Sequence, residues 1–284
     1  MIAAGRATRP GARRGVELAP SDPSTCPFDE GHEDRTPPEV DDVGRPQGGL
    51  PDTPGWTVRV VPNKYPAFPG QEVAVHGPAH ATRFAHTAPG VAEAMATAWF
   101  RRRDHHLAAG AGYVLCSINE GIEAGASLEH SHSQILPLAE VPPVPAAEAA
   151  AFAAAADCPL CQLLAATRPV VVARGLAAVC PPWSRMPYET WIVPTRHATR
   201  PADAEALGAS IRDAATRLGG VLGDRLAWNA LLHDGPPADT TFHWHVELLP
   251  RLTVAAAVEL GAGIWVNVVD PVIAADELRA IALP

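Results

Sequence analysis

Two stretches of the chain repeat one order of apolar and polar positions. In each, a β-branched run leads to a proline, a histidine and Ala-Thr, once within Pro69–Thr82 and again within Pro187–Thr199. Stretches with helical character follow, over Ala92–Arg103 and over Ala202–Leu218. Each repeat therefore predicts a strand followed by a helix.

A second repeated motif follows each predicted helix. It is a strand with a His-x-His pair, His130 with His132 and His243 with His245. Alternate side chains of a strand share a face, so the two imidazoles of each pair are expected to point the same way. One such pair is often only a solvated surface feature, but recurrence in a repeated context favours a shared site.

A third motif begins each repeat: Cys26-Pro-Phe-Asp29 in the first and Cys158-Pro-Leu-Cys161 in the second. Three motifs that recur in the same order indicate duplication of one structural unit. We therefore predict an α+β fold of two tandem units, at residues 25–140 and 158–284. Each unit is expected to be an antiparallel sheet with helices packed on it.

The remaining segments are predicted to be connections. Residues 141–157 run from prolines into an alanine-rich helix and are expected to link the units. Residues 1–24 hold arginines among glycine, proline and alanine, which predicts a flexible arm, with an organelle transit peptide as the alternative. Pro37–Pro54 is expected to be an extended surface loop.

Composition excludes several classes of protein. The 284 residues are enough for a sizeable core, and no run of about 18 apolar residues predicts a membrane span. The net charge of −9 argues against nucleic acid as a partner, although a local site can still hold a small phosphorylated ligand. Five cysteines, an odd number in a long chain, favour a reducing compartment, and we expect the cytoplasm.

The second repeat carries a candidate zinc site. Zinc prefers thiolate sulfur and imidazole nitrogen in a tetrahedron, and Cys158 and Cys161 supply one pair of ligands. His197 and His243 are the candidates for the other two positions, with His233 and His245 as alternatives. A redox dithiol or two buried core cysteines would be the interpretation without a metal.

The first repeat carries a weaker version of the same set. Cys26, His80 and His130 are in register with it, but Asp29 stands where the second cysteine would be. Carboxylate oxygen is an acceptable zinc ligand, so this site either binds zinc or has lost it.

The pair in the first repeat also suggests a nucleophile. If the ring of His130 turns to a metal, His132 remains for chemistry, and a neutral imidazole is nucleophilic near pH 7. Gln134 shares its face and can donate to a phosphate oxygen. The small-residue loop from Asn119 to Ser127 can bring backbone N–H groups close to an anion.

With these residues, and with Val58–Pro66 and Phe242–Arg251, the sequence resembles the galactose-1-phosphate uridylyltransferase branch of the histidine-triad superfamily. The resemblance covers most of residues 26–270, with both halves in register. Its His-x-His-x-Gln core is typical of the nucleotidyl-transferring branch, since the hydrolases usually have a third histidine in place of Gln134. It implies a tandem pair of histidine-triad-like folds.

The resemblance also implies roles for individual residues. His132 matches the nucleophile, and Gln134 and Ser127 match residues that hold the transferred phosphoryl group. Asn63 matches a nucleotide-binding position and Asn119 lies at the phosphate loop. His245 matches the nucleophile position of the other half, but Trp244 and Glu247 change its surroundings, so no second active site is expected.

The segment expected to bind the acceptor matches less well. Glu259 matches a sugar-contacting carboxylate, and Asn267 closes the similar segment. The expected basic residue is absent from Thr253–Val258, although a sugar phosphate needs a cation or several N–H donors. In this family the active site often lies near a dimer interface, so a homodimer is expected.

The favoured function is therefore uridylyl transfer between a UDP-sugar and hexose 1-phosphate, through a covalent UMP-histidine in a ping-pong reaction. A phosphorylase of ADP-glucose or of a dinucleoside polyphosphate, using the same histidine, is the first alternative. A metal oxygenase built on His243, His245 and Glu247 is a second enzyme class. A zinc-stabilised scaffold that binds nucleotides without turnover is the alternative that is not an enzyme.

Overall fold

The computed structural model describes residues 22–283. The expected flexible arm at 1–24 lies outside the described residues, apart from its last three, which lead into a turn. The chain divides after Glu140 into two compact units.

The first unit is a five-stranded antiparallel sheet with one long helix. Its strands lie in the order β1-β2-β3-β5-β4. In chain order its elements are β1 (Asp41–Val43), β2 (Val58–Pro62), β3 (Glu72–His76), α1 (Val91–Ala108), β4 (Tyr113–Glu120) and β5 (His132–Leu138). Short 3-10 turns lie at Glu33–Arg35, Phe84–His86 and Ile122–Ala124.

The second unit repeats this plan. Its strands lie in the order β6-β7-β8-β10-β9, which is the first unit's order shifted by five strands. Its elements are α2 (Pro143–Ala154), α3 (Pro159–Ala166), β6 (Val171–Ala173), β7 (Leu176–Val179), β8 (Thr190–Pro194), α4 (Ala204–Leu222), β9 (Trp228–His233), β10 (His245–Pro250), α5 (Ala257–Ala262) and α6 (Pro271–Ala280). The fold is therefore α+β with two tandem units, as the repeated sequence motifs predict.

The long helix of each unit forms because its apolar residues recur at helical spacing. In α1, Ala92, Met95, Ala96 and Trp99 are fully buried and lie on one face. In α4, the side chain of Asp203 accepts a hydrogen bond from the N–H of Ala206 at 2.9 Å and caps the first turn. In the chain, each helix follows the third strand of its unit and precedes the fourth. The helix α1 packs on β5, which begins at His132, whereas α4 packs on β7 and β8.

Three sequence expectations change in detail. The predicted helices are longer than expected at their C-terminal ends, and the second begins at Ala204 rather than Ala202. Pro37–Pro54 is not loop throughout, because Asp41–Val43 pairs with Val58–Val60 as the edge strand of its sheet. The expectation that both histidines of a pair lie in a strand is wrong, since β5 begins at His132 and β10 at His245.

The segment 141–157, expected as a linker and helix, forms α2 and belongs to the second unit. Phe152 of this helix packs on Phe242 with ring centroids 4.9 Å apart. Within residues 22–283, no helix taken alone has the length and apolar character to cross a bilayer; only α2 and α3 taken together, as a pair bent by 79°, meet that test.

Candidate active site and metal clusters

His132 lies at the first residue of β5 and is buried. Its Nδ1 is 2.8 Å from the backbone carbonyl of His130. A carbonyl only accepts, so Nδ1 carries the proton and Nε2 keeps its lone pair. The ring edge of Phe28 lies against the imidazole, with centroids 5.3 Å apart. The backbone therefore selects the tautomer that a nucleophilic histidine needs.

The serines on either side of His132 anchor its strand. Ser131 Oγ is 3.0 Å from Nδ1 of His76, and Ser133 Oγ is 2.9 Å from Nε2 of the same ring. The indole N–H of Trp99 donates to Ser133 Oγ at 2.8 Å. Burial lowers the pKa of His76 well below its usual value, so this ring is a neutral bridge between the two serines.

Gln134 lies two residues further along β5, where strand alternation places it on the face of His132. Its amide oxygen accepts a hydrogen bond from Asn63 Nδ2 at 3.0 Å and another from Gln71 Nε2 at 2.8 Å. The predicted nucleotide-binding residue Asn63 is thus joined directly to the predicted phosphate-binding residue.

A small, open groove lies beside His132 in the first unit. Asn119 and Gly121 line it, at the end of β4 and the start of the loop. Gly121 has φ 84° and ψ 157°, a conformation that only glycine adopts readily, so the loop can turn sharply there. Ser127 lies half-buried in the same loop but is not among the residues that line the groove. The groove is lined by Ile118, Asn119, Glu120, Gly121, Ala126, Leu128, Glu129, His130, Ser131 and His132.

The four candidate zinc ligands of the second unit converge. The ligand atoms of Cys158, Cys161, His197 and His243 all lie within 4.8 Å of one another. Nδ1 of His243 is 3.3 Å from Sγ of Cys158 and 3.7 Å from Sγ of Cys161. A tetrahedral zinc ion separates such ligand atoms by roughly 3.3–3.8 Å, so the donor set fits this metal in chemistry and in spacing.

The pKa shifts of these candidate ligands agree with a metal site for His243 but not for Cys161. Burial, together with the neighbouring His197, lowers the pKa of His243 to about 4, so its imidazole is neutral and able to ligate. Burial and the adjacent Cys158 raise the pKa of Cys161 to about 11. A cation would lower the pKa of that thiol, because metal binding requires the thiolate.

The candidate ligands of the first unit, Cys26, Asp29, His80 and His130, also converge within 4.8 Å. Here one carboxylate oxygen of Asp29 is 2.8 Å from Nδ1 of His80 and 2.7 Å from Nδ1 of His130. Burial would raise the pKa of Asp29, but these two imidazoles outweigh it and lower the pKa. The donor types suit zinc. Nε2 of His130 donates its hydrogen to the carbonyl of Gly77 at 3.0 Å, so Nδ1 of this neutral ring turns a lone pair, and not a hydrogen, toward Asp29 and Cys26.

A third cluster, which the sequence did not predict, lies in the second unit. It comprises Glu148, His233, His245 and Glu247, again within 4.8 Å. Glu148 is 2.8 Å from Nδ1 of His233, while Arg185 binds Glu247 at 2.5 Å. This donor set can hold a cation, although Arg185 already neutralises one of its carboxylates.

This cluster corrects two sequence expectations. His233 and His245 are not alternative ligands beside Cys158 and Cys161, because they lie in the separate cluster with Glu148. The oxygenase triad of His243, His245 and Glu247 is not assembled, since the ring of His243 joins the cysteines.

The two units differ most at the position of Gln134. In the second unit Glu247 stands there, buried and paired with Arg185. His245 repeats the bond of its counterpart, with Nδ1 3.1 Å from the carbonyl of His243, but burial and the adjacent His233 lower its pKa to about 4. The second unit thus has a carboxylate paired with Arg185 at the position where the first unit has the amide of Gln134.

The two predicted acceptor-binding residues lie in the second unit. Glu259 is on the short helix α5, where its carboxylate accepts a hydrogen bond from the N–H of Ala256 at 2.9 Å. Asn267 donates through its amide to the carbonyl of Ser184 at 3.3 Å. Neither belongs to the unit that holds His132.

Sequence reasoning missed Gln71, Glu148 and Arg185. Gln71 and Arg185 both lie in the irregular segment before the third strand of their unit, so alignment of the two repeats could have drawn attention to them. Glu148 is an acidic residue in an alanine-rich helix, and no short motif marks it.

No protein-family model matches the chain. The chain is 26% identical over 301 residues to ADP-glucose phosphorylase of Arabidopsis thaliana, with 92% of this chain and 83% of the relative covered. It is also 26% identical over 189 residues to galactose-1-phosphate uridylyltransferase of Thermotoga maritima, a match that spans 59% of each chain.

A solved structure extends the likeness to the fold. The crystal structure of an ADP-glucose phosphorylase from Arabidopsis thaliana, with bound ADP-glucose, superposes with a TM-score of 0.81 at 25% identity and covers 93% of both chains. Sequence and fold thus agree with the His-x-His-x-Gln motif and the duplicated sheets: the chain is similar in both to ADP-glucose phosphorylase and galactose-1-phosphate uridylyltransferase, which is consistent with the galactose-1-phosphate uridylyltransferase branch of the histidine-triad superfamily.

Proposed function

We propose that the protein transfers a nucleoside monophosphate group from a nucleoside-diphosphate sugar to an anionic acceptor, through His132. The observation that carries this proposal is the bond from Nδ1 of His132 to the carbonyl of His130, which leaves Nε2 unprotonated. A nucleophile that is already in the reactive tautomer needs no separate base.

The reaction has two displacements. In the first, Nε2 of His132 attacks the α-phosphorus, a P–N bond forms, and the P–O bond to the sugar phosphate breaks. Hexose 1-phosphate leaves, and the imidazolium keeps its Nδ1 proton on the carbonyl of His130. In the second, an acceptor phosphate oxygen attacks the same phosphorus and returns the neutral imidazole. Gln134 donates an amide hydrogen to a non-bridging oxygen in both steps.

ADP-glucose is the donor, and inorganic phosphate the acceptor, that we propose first. The ADP-glucose phosphorylase relative matches nearly the whole chain, whereas the uridylyltransferase match is partial. Residues 253–258 carry no cation, and Glu259 is bound to its own helix, so a sugar phosphate acceptor lacks an obvious anchor here. UDP-glucose with galactose 1-phosphate is the second candidate pair, favoured by the Thermotoga relative.

Intact-mass measurement after incubation with a single donor tests the proposal. ADP-glucose, UDP-glucose and UDP-galactose are each added without acceptor. We expect the chain to gain one nucleoside monophosphate from ADP-glucose and to lose it when phosphate is added. An adduct only from the uridine donors would support the second pair, and no adduct from any donor would contradict covalent transfer.

We propose zinc as the metal of the cluster formed by Cys158, Cys161, His197 and His243, and a weaker zinc site at Cys26, Asp29, His80 and His130. Zinc bound there would stabilise the fold and supply no reaction step. The cysteines form no disulfide, so their sulfurs can lose a proton and bind zinc as thiolates, and we also propose a reducing compartment, the cytoplasm. Fractionation of cells that express a tagged chain would test the compartment.

We further propose a homodimer, formed through the segment 252–273 of each chain. Ten large apolar side chains are exposed there: Leu252, Val254, Val258, Leu260, Ile264, Trp265, Val266, Val268, Val272 and Ile273. Exposed apolar area of this extent usually marks a protein interface. A second copy is the occupant we propose, because the resemblance implies an active site near a dimer interface.

Charged residues in this segment are expected to separate the dimer. Val254→Glu with Val268→Glu places two carboxylates where the side chains are 84% and 74% exposed. Sedimentation velocity should show a dimer for the unmodified chain and a monomer for the variant. Leu50→Glu, on an apolar residue of the other unit that is 69% exposed, should leave the dimer intact. A monomeric unmodified chain would contradict the proposal.

A further inference from the structure

Gln71 is a buried amide whose orientation is set by the backbone. Its side chain is only 4% exposed. Its amide oxygen accepts a hydrogen bond from the backbone N–H of Ala67 at 2.7 Å. A backbone N–H can only donate, so the oxygen must face Ala67 and the amino group must face the other way. That amino group is the one 2.8 Å from the amide oxygen of Gln134.

Asn63 is fixed in the same manner from a second direction. Its amide oxygen accepts from the backbone N–H of Tyr65 at 2.8 Å, which turns its amino group to Gln134 at 3.0 Å. Both amino groups therefore donate to one oxygen and occupy its two lone pairs. If the amide of Gln134 rotated by half a turn, its own amino group would face these two donors, so one orientation is strongly favoured.

We propose that Gln71 is a positioning residue, which acts with Asn63 to keep the amide hydrogens of Gln134, and not its oxygen, directed to the phosphoryl group. The proposal rests on the proposed function of His132 and Gln134. A glutamine left to rotate would present its carbonyl oxygen to an anion for part of the time, and this would oppose the build-up of negative charge in the transition state.

Two backbone N–H groups, those of Ala67 and Tyr65, thus fix the orientation of the amides of Gln71 and Asn63. These two amides in turn fix the amide of Gln134. No titratable group is involved. The contacts of Gln71 with Ala67 and Gln134 span the segment before β3 and the strand that carries the nucleophile. Replacement of Gln71 should therefore alter the transfer step more than the binding of the donor.

A double-mutant cycle between Gln71 and Gln134 tests this role. Methionine is close to glutamine in length and carries no charge, so Gln71→Met, Gln134→Met and the double variant are compared. The readouts are the single-turnover rate of adduct formation, the KM of the donor, the affinity for AMP by calorimetry and the melting temperature. Gln47→Met, on an exposed residue of the same unit, is the matched control.

We expect Gln134→Met to slow adduct formation by roughly 100-fold, as loss of one transition-state donor does. Gln71→Met should slow it roughly tenfold, the effect of about one hydrogen bond, with KM changed by less than about threefold. In the Gln134→Met background, Gln71→Met should have no further effect, because it acts only through Gln134. Gln47→Met should match the unmodified chain.

Two results would overturn the positioning role. One is an equal loss from Gln71→Met in both backgrounds, which indicates general packing; the other is no loss in either. The phosphoryl group of AMP meets the same amide hydrogens of Gln134, so without turnover Gln71→Met should weaken AMP binding only slightly, by roughly twofold, and should have no effect on it in the Gln134→Met background. An unmodified chain that binds AMP but forms no adduct would count against the proposed covalent reaction, while the AMP cycle would still test Gln71.

Discussion

Replacement of His132 by glycine is expected to abolish nucleotide transfer and to remove the covalent adduct. Nε2 of this ring is the atom that forms the P–N bond, and glycine offers no other nucleophile at the start of β5. Loss of a nucleophile typically lowers kcat by roughly 10⁴–10⁶-fold. Intact mass and steady-state rates with ADP-glucose measure the effect.

Free imidazole should restore part of the activity of the His132→Gly chain, because it can enter the space left by the ring and accept the nucleotidyl group. His245→Gln, at the equivalent position of the second unit, is the control and should still form the adduct. Activity retained by His132→Gly would remove His132 from the mechanism. Adduct lost only in His245→Gln would assign the chemistry to the other unit.

The second large effect is expected from Cys158→Ser, which removes one thiolate from the cluster with Cys161, His197 and His243. When the free metal concentration is 1,000 times the dissociation constant, metal binding raises the free energy of unfolding by about 4.1 kcal/mol. At roughly 2–4 °C per kcal/mol for a domain of this size, the melting temperature should fall by about 8–16 °C. Calorimetry and metal analysis should show this fall together with the loss of one zinc equivalent.

Cys180→Ser is the matched control, since Cys180 is buried in the same unit but lies outside the metal cluster. It should keep its zinc content, whatever its effect on packing. If Cys158→Ser kept both its zinc content and its melting temperature, the cluster would be a set of core side chains and not a structural zinc site.

The arrangement of the fold could be predicted because duplication repeats local signals. The Cys-Pro, Pro-x-His and His-x-His motifs recur in the same order in both halves of the chain, and the sheets of the two units have the same strand order. Two of the three metal clusters followed from the same register, since each ligand of the set with Cys158 has a counterpart in the set with Cys26. A resemblance then added the role of His132, which spacing alone does not give.

The partners of the site residues were harder to predict. Gln71 contacts Gln134 across 63 positions of sequence, and Glu148 contacts His233 across 85. Such contacts depend on the register of strand pairing and on where a helix packs, and neither leaves a local pattern. The start of β5 at His132 was also missed, because the strand boundary depends on pairing with β3.

The bond from the second histidine to the carbonyl of the first is present in both units, at 2.8 Å and at 3.1 Å. It is present in the unit that has Glu247 at the position of Gln134 as well. Its acceptor is a backbone carbonyl, which no side-chain substitution removes. The tautomer of the second histidine is therefore set by the fold at the start of the strand, so exchange of the neighbouring side chains should change the chemistry around this ring without changing which of its nitrogens carries the proton.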